Sequence, residues 1–305
     1  IQAVVTPEMR AGLGMHYTSV PNIMKLIRPL FLDCLYEEFN VAKDTHDVKR
    51  LQRLRERLGK IKFFDPACGS GNFLIVSYKK VRELEILIWE ELRKLGVPEL
   101  PLSNINLQQF YGIEIDDFAC DTATLSLWLA EHQMNNKFAE AFGIRPNALP
   151  LRPSGHIVCG NACRLGWNVV CPHTAEDEVY VMGNPPYLGA RLQDESQKED
   201  MQFTMQNSVP SNNLDYIATW FFIGSEYIKR SKSRLAFVTT NSICQGEQVG
   251  LLWSYILSLD IEIYFAYSSF KWSNNAKNNA GVTCAIVGLR NSSAYKGEPK
   301  ILFRA

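Results

Sequence analysis

Asp65-Pro66-Ala67-Cys68-Gly69-Ser70-Gly71-Asn72-Phe73-Leu74 follows the apolar run that begins at Ile61. It leads into a stretch with apolar residues at helical spacing, namely Leu84, Leu87, Ile88, Leu92 and Leu95. A β-like run that ends in glycines and continues as a helix is how an open α/β sheet begins. Ligands of such sheets sit beyond the carboxyl ends of the strands, where glycines let the backbone come close to them. The dinucleotide fingerprint would place a third glycine where Leu74 stands, so that fingerprint is incomplete. A lone G-x-G also reads as a mere tight turn; the ten-residue string is far more specific.

Outward from this turn, further β-like runs lie at Gln109 to Ile115, His156 to Cys159, Glu178 to Met182, Arg234 to Thr240, Ile261 to Ala266 and Val282 to Leu289. Together with the first they predict an α/β fold with a mostly parallel seven-stranded sheet and helices on both faces. Helical spacing around residues 19 to 40 predicts an N-terminal helical segment, residues 1–60, ahead of a main domain at 61–305. Asn135 to Pro153, with prolines at 146, 150 and 153, reads as a loop. Gly189 to Asn213 is a polar stretch with few apolar anchors, of the kind that is functional or mobile. The basic run from Lys49 to Lys62 reads as a solvated helix face, with an approach to phosphates as the alternative.

The 305 residues include 32 basic and 32 acidic side chains, so the chain lacks the basic balance of a self-sufficient nucleic-acid binder. Any such partner must be gripped locally or by other parts. No run of eighteen apolar residues exists, which excludes a membrane-spanning helix. The start at Ile1, with no signal-like segment, predicts an excised piece of a longer cytoplasmic protein. Cysteines at 34, 68, 120, 159, 163, 171, 244 and 284 form no CxxC pair, so free thiols are expected. Cys159, Cys163, Cys171 and His173 lack the paired spacing of zinc ligands, and no metal is assigned.

Phe110-Tyr111-Gly112-Ile113-Glu114-Ile115-Asp116 closes the second run with an acid, suited to accept hydrogen bonds from both hydroxyls of a ribose; the alternative is a surface acid at a strand end. DPACGSGNFL followed by YGIEID resembles motifs I and II of class I S-adenosylmethionine-dependent methyltransferases, in the form seen in amino-group DNA methyltransferases. The resemblance implies a Rossmann-like fold in which Asp65, Ala67, Cys68, Gly69, Gly71, Asn72 and Phe73 surround the methionine portion of S-adenosylmethionine. It also implies Glu114 on the ribose and Ile115 on the adenine. Cys159-Gly160-Asn161 stands where the family has Gly-Asp or Gly-Asn, which implies Asn161 on the adenine edge; a loop-turn role is the alternative.

Asn184-Pro185-Pro186-Tyr187 follows the fourth run. Two prolines fix φ and remove two amide donors, so carbonyls and the Asn184 side chain project as acceptors from a rigid turn. An exocyclic amine under methylation needs acceptors that orient its lone pair and stabilise the charge developing on nitrogen. Tyr187 is suited to stack on a base. In this place the tetrapeptide resembles motif IV of amino methyltransferases, with Asn184, Pro185, Pro186 and Tyr187 implied as the catalytic set. Asparagine at 184 leans towards adenine. No Pro-Cys turn exists, so the covalent chemistry of carbon-5 cytosine methylation is excluded.

Leu214-Asp215-Tyr216 looks like motif V, and Arg234 to Asn241 like motif VI. Tyr267 to Trp272 resembles motif VIII, which implies Phe270, with Trp272 second, on the opposite face of an extruded base. Near the front, Tyr17-Thr18-Ser19-Val20-Pro21 resembles motif X, closing the methionine end of the pocket, although Ser19 replaces the usual proline; plain helix capping is the alternative. The order X, I, II, III, IV, V, VI, VIII resembles the γ arrangement, most like the methyltransferase part of type IIG or IIL restriction-modification enzymes. The expectation is a DNA adenine-N6 methyltransferase domain from a bacterial or archaeal cell, acting on double-stranded DNA. No nuclease motif is evident, and target recognition would come from elsewhere in the full-length polypeptide or from a partner subunit. Alternatives are a protein glutamine N5-methyltransferase and a non-catalytic DNA-binding scaffold.

Overall fold

Phe63 and Phe64 are neighbours in the chain, both fully buried, yet they lie in two different hydrophobic clusters. Successive side chains of a strand point to opposite faces, so burial of both requires a sheet covered on both sides. The computed structural model describes residues 18–144, 155–206, 208–271 and 283–304 and contains that sheet. Its strands are β1 (Lys62–Asp65), β2 (Phe110–Glu114), β3 (His156–Cys159), β4 (Val179–Gly183), β5 (Arg234–Thr240), β6 (Ile261–Lys271), β7 (Thr283–Asn291) and β8 (Ile301–Phe303). The spatial order is β3-β2-β1-β4-β5-β7-β6-β8. β7 runs antiparallel to both neighbours; every other pair is parallel.

The expected seven strands are present, and the count is corrected to eight. β8 is three residues long, too short for a period, and is seated where Phe303 stacks on Tyr267 at 4.4 Å between ring centroids. From β1 the chain fills one side of the sheet with β2 and β3, then returns to the other side with β4. The crevice between β1 and β4 is therefore a topological switch point, the place where open α/β sheets bind ligands.

One face carries α1 (Val20–Ile27), α2 (Asp33–Asp44), α3 (Val48–Leu58), α4 (Asn72–Lys94) and α5 (Asp117–Phe142). The other carries α6 (Trp167–Val170), α7 (Glu195–Met205), α8 (Ala218–Ile228) and α9 (Ser254–Ser258). α1 and α2 are joined by a π-helical turn, Arg28–Leu32, at the proline that cannot donate to a regular ladder. From that turn Phe31 packs 5.2 Å from Phe63 and 5.0 Å from Tyr180, so the N-terminal helices share their core with the sheet.

Three sequence expectations are corrected. The loop placed at Asn135 to Pro153 is helical as far as Phe142, because Phe138 and Phe142 pack together before Gly143 ends α5; its prolines lie outside the described residues. The polar stretch after Gly189 contains α7, started by an Asp194–Gln197 capping box and anchored by buried Met201 and Met205. The basic run is not a wholly solvated face: Arg57 pairs with Glu38 and, at 2.6 Å, with Glu178, while Arg55 lies 4.2 Å above the Trp89 ring. Among the described residues no helix is long and apolar enough to cross a membrane.

Candidate active site

Asp65 ends β1 at the switch point and is buried. Its Oδ1 accepts the Ala67 N–H at 3.0 Å, while Oδ2 has no hydrogen-bond partner. Burial raises its pKa to about 8; the Ala67 amide works against the rise and the charge of Glu114 adds to it. Across the crevice, a Cβ on Gly183 would stand 2.5 Å from Asp65 Oδ1, so only glycine lets β4 approach the carboxyl this closely. The turn that follows is held by Gly71 N–H to the Cys68 carbonyl at 2.8 Å and by the Trp220 indole to the Pro66 carbonyl at 3.1 Å. Gly69 and Gly71 have φ of +52° and +84°, the left-handed region that glycine favours, and Gly71 caps α4. Asn72 and Phe73 begin that helix, with Phe73 packed into the core.

Cys68 is buried, and burial, together with the charges of Asp65 and Glu114, pushes its thiol well above the ordinary range, away from the thiolate that a nucleophile requires. Glu114 ends β2 and reaches over the same turn. Its Oε2 accepts the Gly69 N–H at 2.8 Å and its Oε1 the N–H groups of Ile115 and Asp116 at 2.9 and 3.2 Å. Ile115, next in the chain, and Phe118, in the first turn of α5, are exposed apolar side chains, at 63% and 56%.

Asn161 is placed on the loop after β3, but its carboxamide is largely committed. The oxygen accepts Cys163 N–H at 2.8 Å and one N–H binds Asp200 at 2.7 Å, leaving a single N–H for an adenine edge. Asp200, on α7, also receives Arg164 at 2.6 Å and the Tyr216 hydroxyl at 3.1 Å. Sequence reasoning missed this hub, since its partners are far apart in the chain.

Asn184 directly follows Gly183, and its Oδ1 is buried without a hydrogen-bond partner. The two orphaned oxygens, on Asp65 and Asn184, thus belong to the facing ends of β1 and β4. After Pro185 and Pro186, the Tyr187 phenol lies against the Cys284 thiol. Burial raises the phenol's pKa, with further rises from Cys284 and Asp215, so the hydroxyl stays neutral. Cys284 is in turn the cross-strand partner of Phe270, which brings both expected base-facing aromatics to one place. Phe270, however, is only 6% exposed and carries Lys25 Nζ 4.3 Å from its ring centroid, so one face is covered by a cation. Thr18 is buried at the start of α1, next to Ser19, which caps the helix through its backbone carbonyl. Tyr17 and Trp272 lie outside the described residues. Among the described residues no group of three or more His, Cys, Asp and Glu side chains is arranged to hold a metal ion, and the cysteines are free.

A family model described as the MmeI DNA-methyltransferase domain matches residues 41–304, most of the chain. The chain belongs to the MmeI DNA-methyltransferase domain family. Within and around that family, it is 53% identical over 291 residues to DNA methyltransferase A of Bacillus subtilis (strain 168), covering 95% of this chain and 33% of the relative. Among solved structures it is similar to the type IIL restriction-modification enzyme MmeI in complex with DNA, with a TM-score of 0.88 and 38% identity over 100% of this chain and 40% of that one. A DrdV–DNA complex shares the fold, with a TM-score of 0.56 and 14% identity over 99% of this chain and 29% of that one. The MmeI-type chain described here therefore spans about a third of the Bacillus relative.

Proposed function

We propose that this chain is the methyl-transferring domain of a restriction-modification DNA methyltransferase. It takes S-adenosylmethionine as donor and the N6 amine of an adenine flipped out of duplex DNA as acceptor. The observation that carries the reading is the pair of orphaned buried oxygens at the switch point. A buried carboxyl with one unpartnered oxygen fits an ammonium group, and a buried amide oxygen on a rigid Pro-Pro turn fits an amine about to become cationic.

The residues fit the cofactor. Asp65 Oδ2 would take the methionine ammonium, and the Gly69–Gly71 turn at the start of α4 its carboxylate. Glu114 would take the ribose, Ile115 and Phe118 the adenine faces, and Asn161 the adenine edge through its remaining N–H. Thr18, with Tyr17 before it, would close the methionine end. When bound, the cofactor supplies an electrophilic methyl group. The chain's own part is positional: Asn184 Oδ1 and the carbonyl before Pro186 orient the amine lone pair and bear the charge that develops on nitrogen. Tyr187 stacks on the extruded base, and Phe270 meets its other face once Lys25 moves aside. Extrusion is required because the amine is otherwise engaged in pairing. Membership of a family of DNA-methyltransferase domains favours a base over a glutamine amide as acceptor. Recognition of the DNA site is assigned to another domain of the full-length polypeptide or to a partner subunit.

The test is transfer of a tritiated methyl group by the full-length protein into genomic DNA from its source organism with this gene deleted, followed by digestion to nucleosides. The label is expected in N6-methyldeoxyadenosine. Label in N4-methyldeoxycytidine, or none in DNA, would refute the reading.

A further inference from the structure

Asp215 lies in the segment between α7 and α8, is 3% exposed, and its carboxylate lies within hydrogen-bond reach of two backbone N–H groups and two hydroxyls that also bond each other. Oδ1 accepts the backbone N–H of Leu188 at 2.8 Å and that of Ile217 at 3.3 Å. Oδ2 accepts the hydroxyl of Ser242 at 2.8 Å, with that of Thr240 at 3.3 Å and bonded to Ser242. Leu188 is the residue directly after Tyr187. Its carbonyl is held as well, by Tyr216 N–H at 3.0 Å and by the buried Gln193 Nε2 at 2.9 Å, which also reaches the Leu214 carbonyl at 2.9 Å. The turn before it contains two prolines and so offers few donors of its own to fix it to the rest of the molecule.

We infer that Asp215 is a positioning residue for methyl transfer: it fastens the Asn184–Tyr187 turn to the carboxyl end of β5, holding Asn184 Oδ1 at the distance from the cofactor crevice that reaction requires. Beyond the crevice wall formed by β1 and β4, it is a side-chain link joining the catalytic turn to β5. The Asp215 carboxylate makes none of its hydrogen bonds to the motif I turn, which is held by Cys68, Gly71 and Trp220. Small displacements of reacting groups cost about 10²-fold in rate. The role needs the geometry and not the charge. An asparagine can turn its oxygen to the two N–H groups and its amide N–H groups to the two hydroxyls, which can reverse and accept.

The inference rests on the proposed methyl transfer, and the same assay separates the two. With genomic DNA from the gene-deleted strain and the full-length protein, wild-type inactivity would refute the transfer itself. Given wild-type activity, Asp215→Ala is expected to lower kcat about 10²-fold with the Kd for S-adenosylmethionine unchanged within about threefold. Asp215→Asn is expected to restore kcat to within about fivefold of wild type. An unchanged kcat in Asp215→Ala, an equal loss in both variants, or a loss matched by cofactor affinity would overturn it. Should Asp215→Ala not fold, Gln193→Ala releases the Leu188 carbonyl instead. A kcat about tenfold lower with cofactor affinity intact supports the inference, and an unchanged kcat refutes it.

Discussion

The two ends of the crevice are built by different means. On the proposed cofactor side, β1 and β2 end in acids, and backbone amides with positive-φ glycines shape the turn between them; apart from the Trp220 indole on the Pro66 carbonyl, the turn's side-chain hydrogen bonds described above join the short strings 65–72 and 112–116. On the proposed catalytic side, the turn is stripped of donors by its prolines and is held by the side chains of Gln193, five residues beyond Leu188, and of Asp215, 27 residues beyond it. A pocket that must cradle one constant ligand can be made of local backbone. A turn that must hold a single amide at a fixed point needs tethers to a neighbouring strand.

The comparison breaks most sharply at Asn184. Asn184→Ala is expected to lower kcat about 10³-fold, the cost typical of a lost charge-stabilising group, while calorimetry finds S-adenosylmethionine binding unchanged. A collapse in cofactor affinity would merge the two ends and defeat the assignment. Gly183→Ala should do the converse. Its Cβ would crowd Asp65 Oδ1 at 2.5 Å, so cofactor affinity is expected to fall about 10²-fold, and an unaltered Kd would remove Asp65 from the pocket. Glu114→Ala, losing the ribose contact and the tie to Gly69, should weaken binding about tenfold; equal Kd values would reassign Glu114 to the turn alone. The smallest effect is expected at Asn161, whose amide mostly braces the loop to α7. Asn161→Ala should change Kd only about threefold while lowering Tm, and a tenfold loss of affinity at constant Tm would restore it to a full adenine-edge role.

This difference also explains what was legible in the sequence. DPACGSGNFL, YGIEID and NPPY are contiguous, so the strands and the switch point could be read from them, and the proposed site residues are drawn from the same strings. Asp215 could be seen as part of a motif but not as a tether, because Leu188 lies 27 residues before it and Ser242 27 after. Asp200 was invisible for the same reason, its partners being at 161, 164 and 216. Phe270 was expected on the face of an extruded base opposite Tyr187, and nothing local announces that Lys25, on α1, lies over its ring. α7 shows the limit differently: the Asp194–Gln197 capping box was readable, but with few apolar positions the helical period did not stand out.

The central claim, that the crevice is prepared for a cationic cofactor by a buried and uncompensated Asp65, makes a prediction about protons. Because the carboxyl's pKa is raised to about 8, the free protein binds this proton more tightly than the unfolded chain does. The pH-dependent cost of burying Asp65 is therefore absent below about pH 4, and stability declines as pH rises from there towards 8. An ammonium bound at Oδ2 needs the ionised form, so binding must expel the proton. The most direct measurement is calorimetric titration of the full-length protein with S-adenosylmethionine at pH 7 in buffers of different ionisation enthalpy. Saturable binding with release of about one proton, tightening as pH rises towards 8 and lost from the proton count in Asp65→Asn, is the expected result. Binding with no proton release, or no binding by the folded protein, would contradict the account.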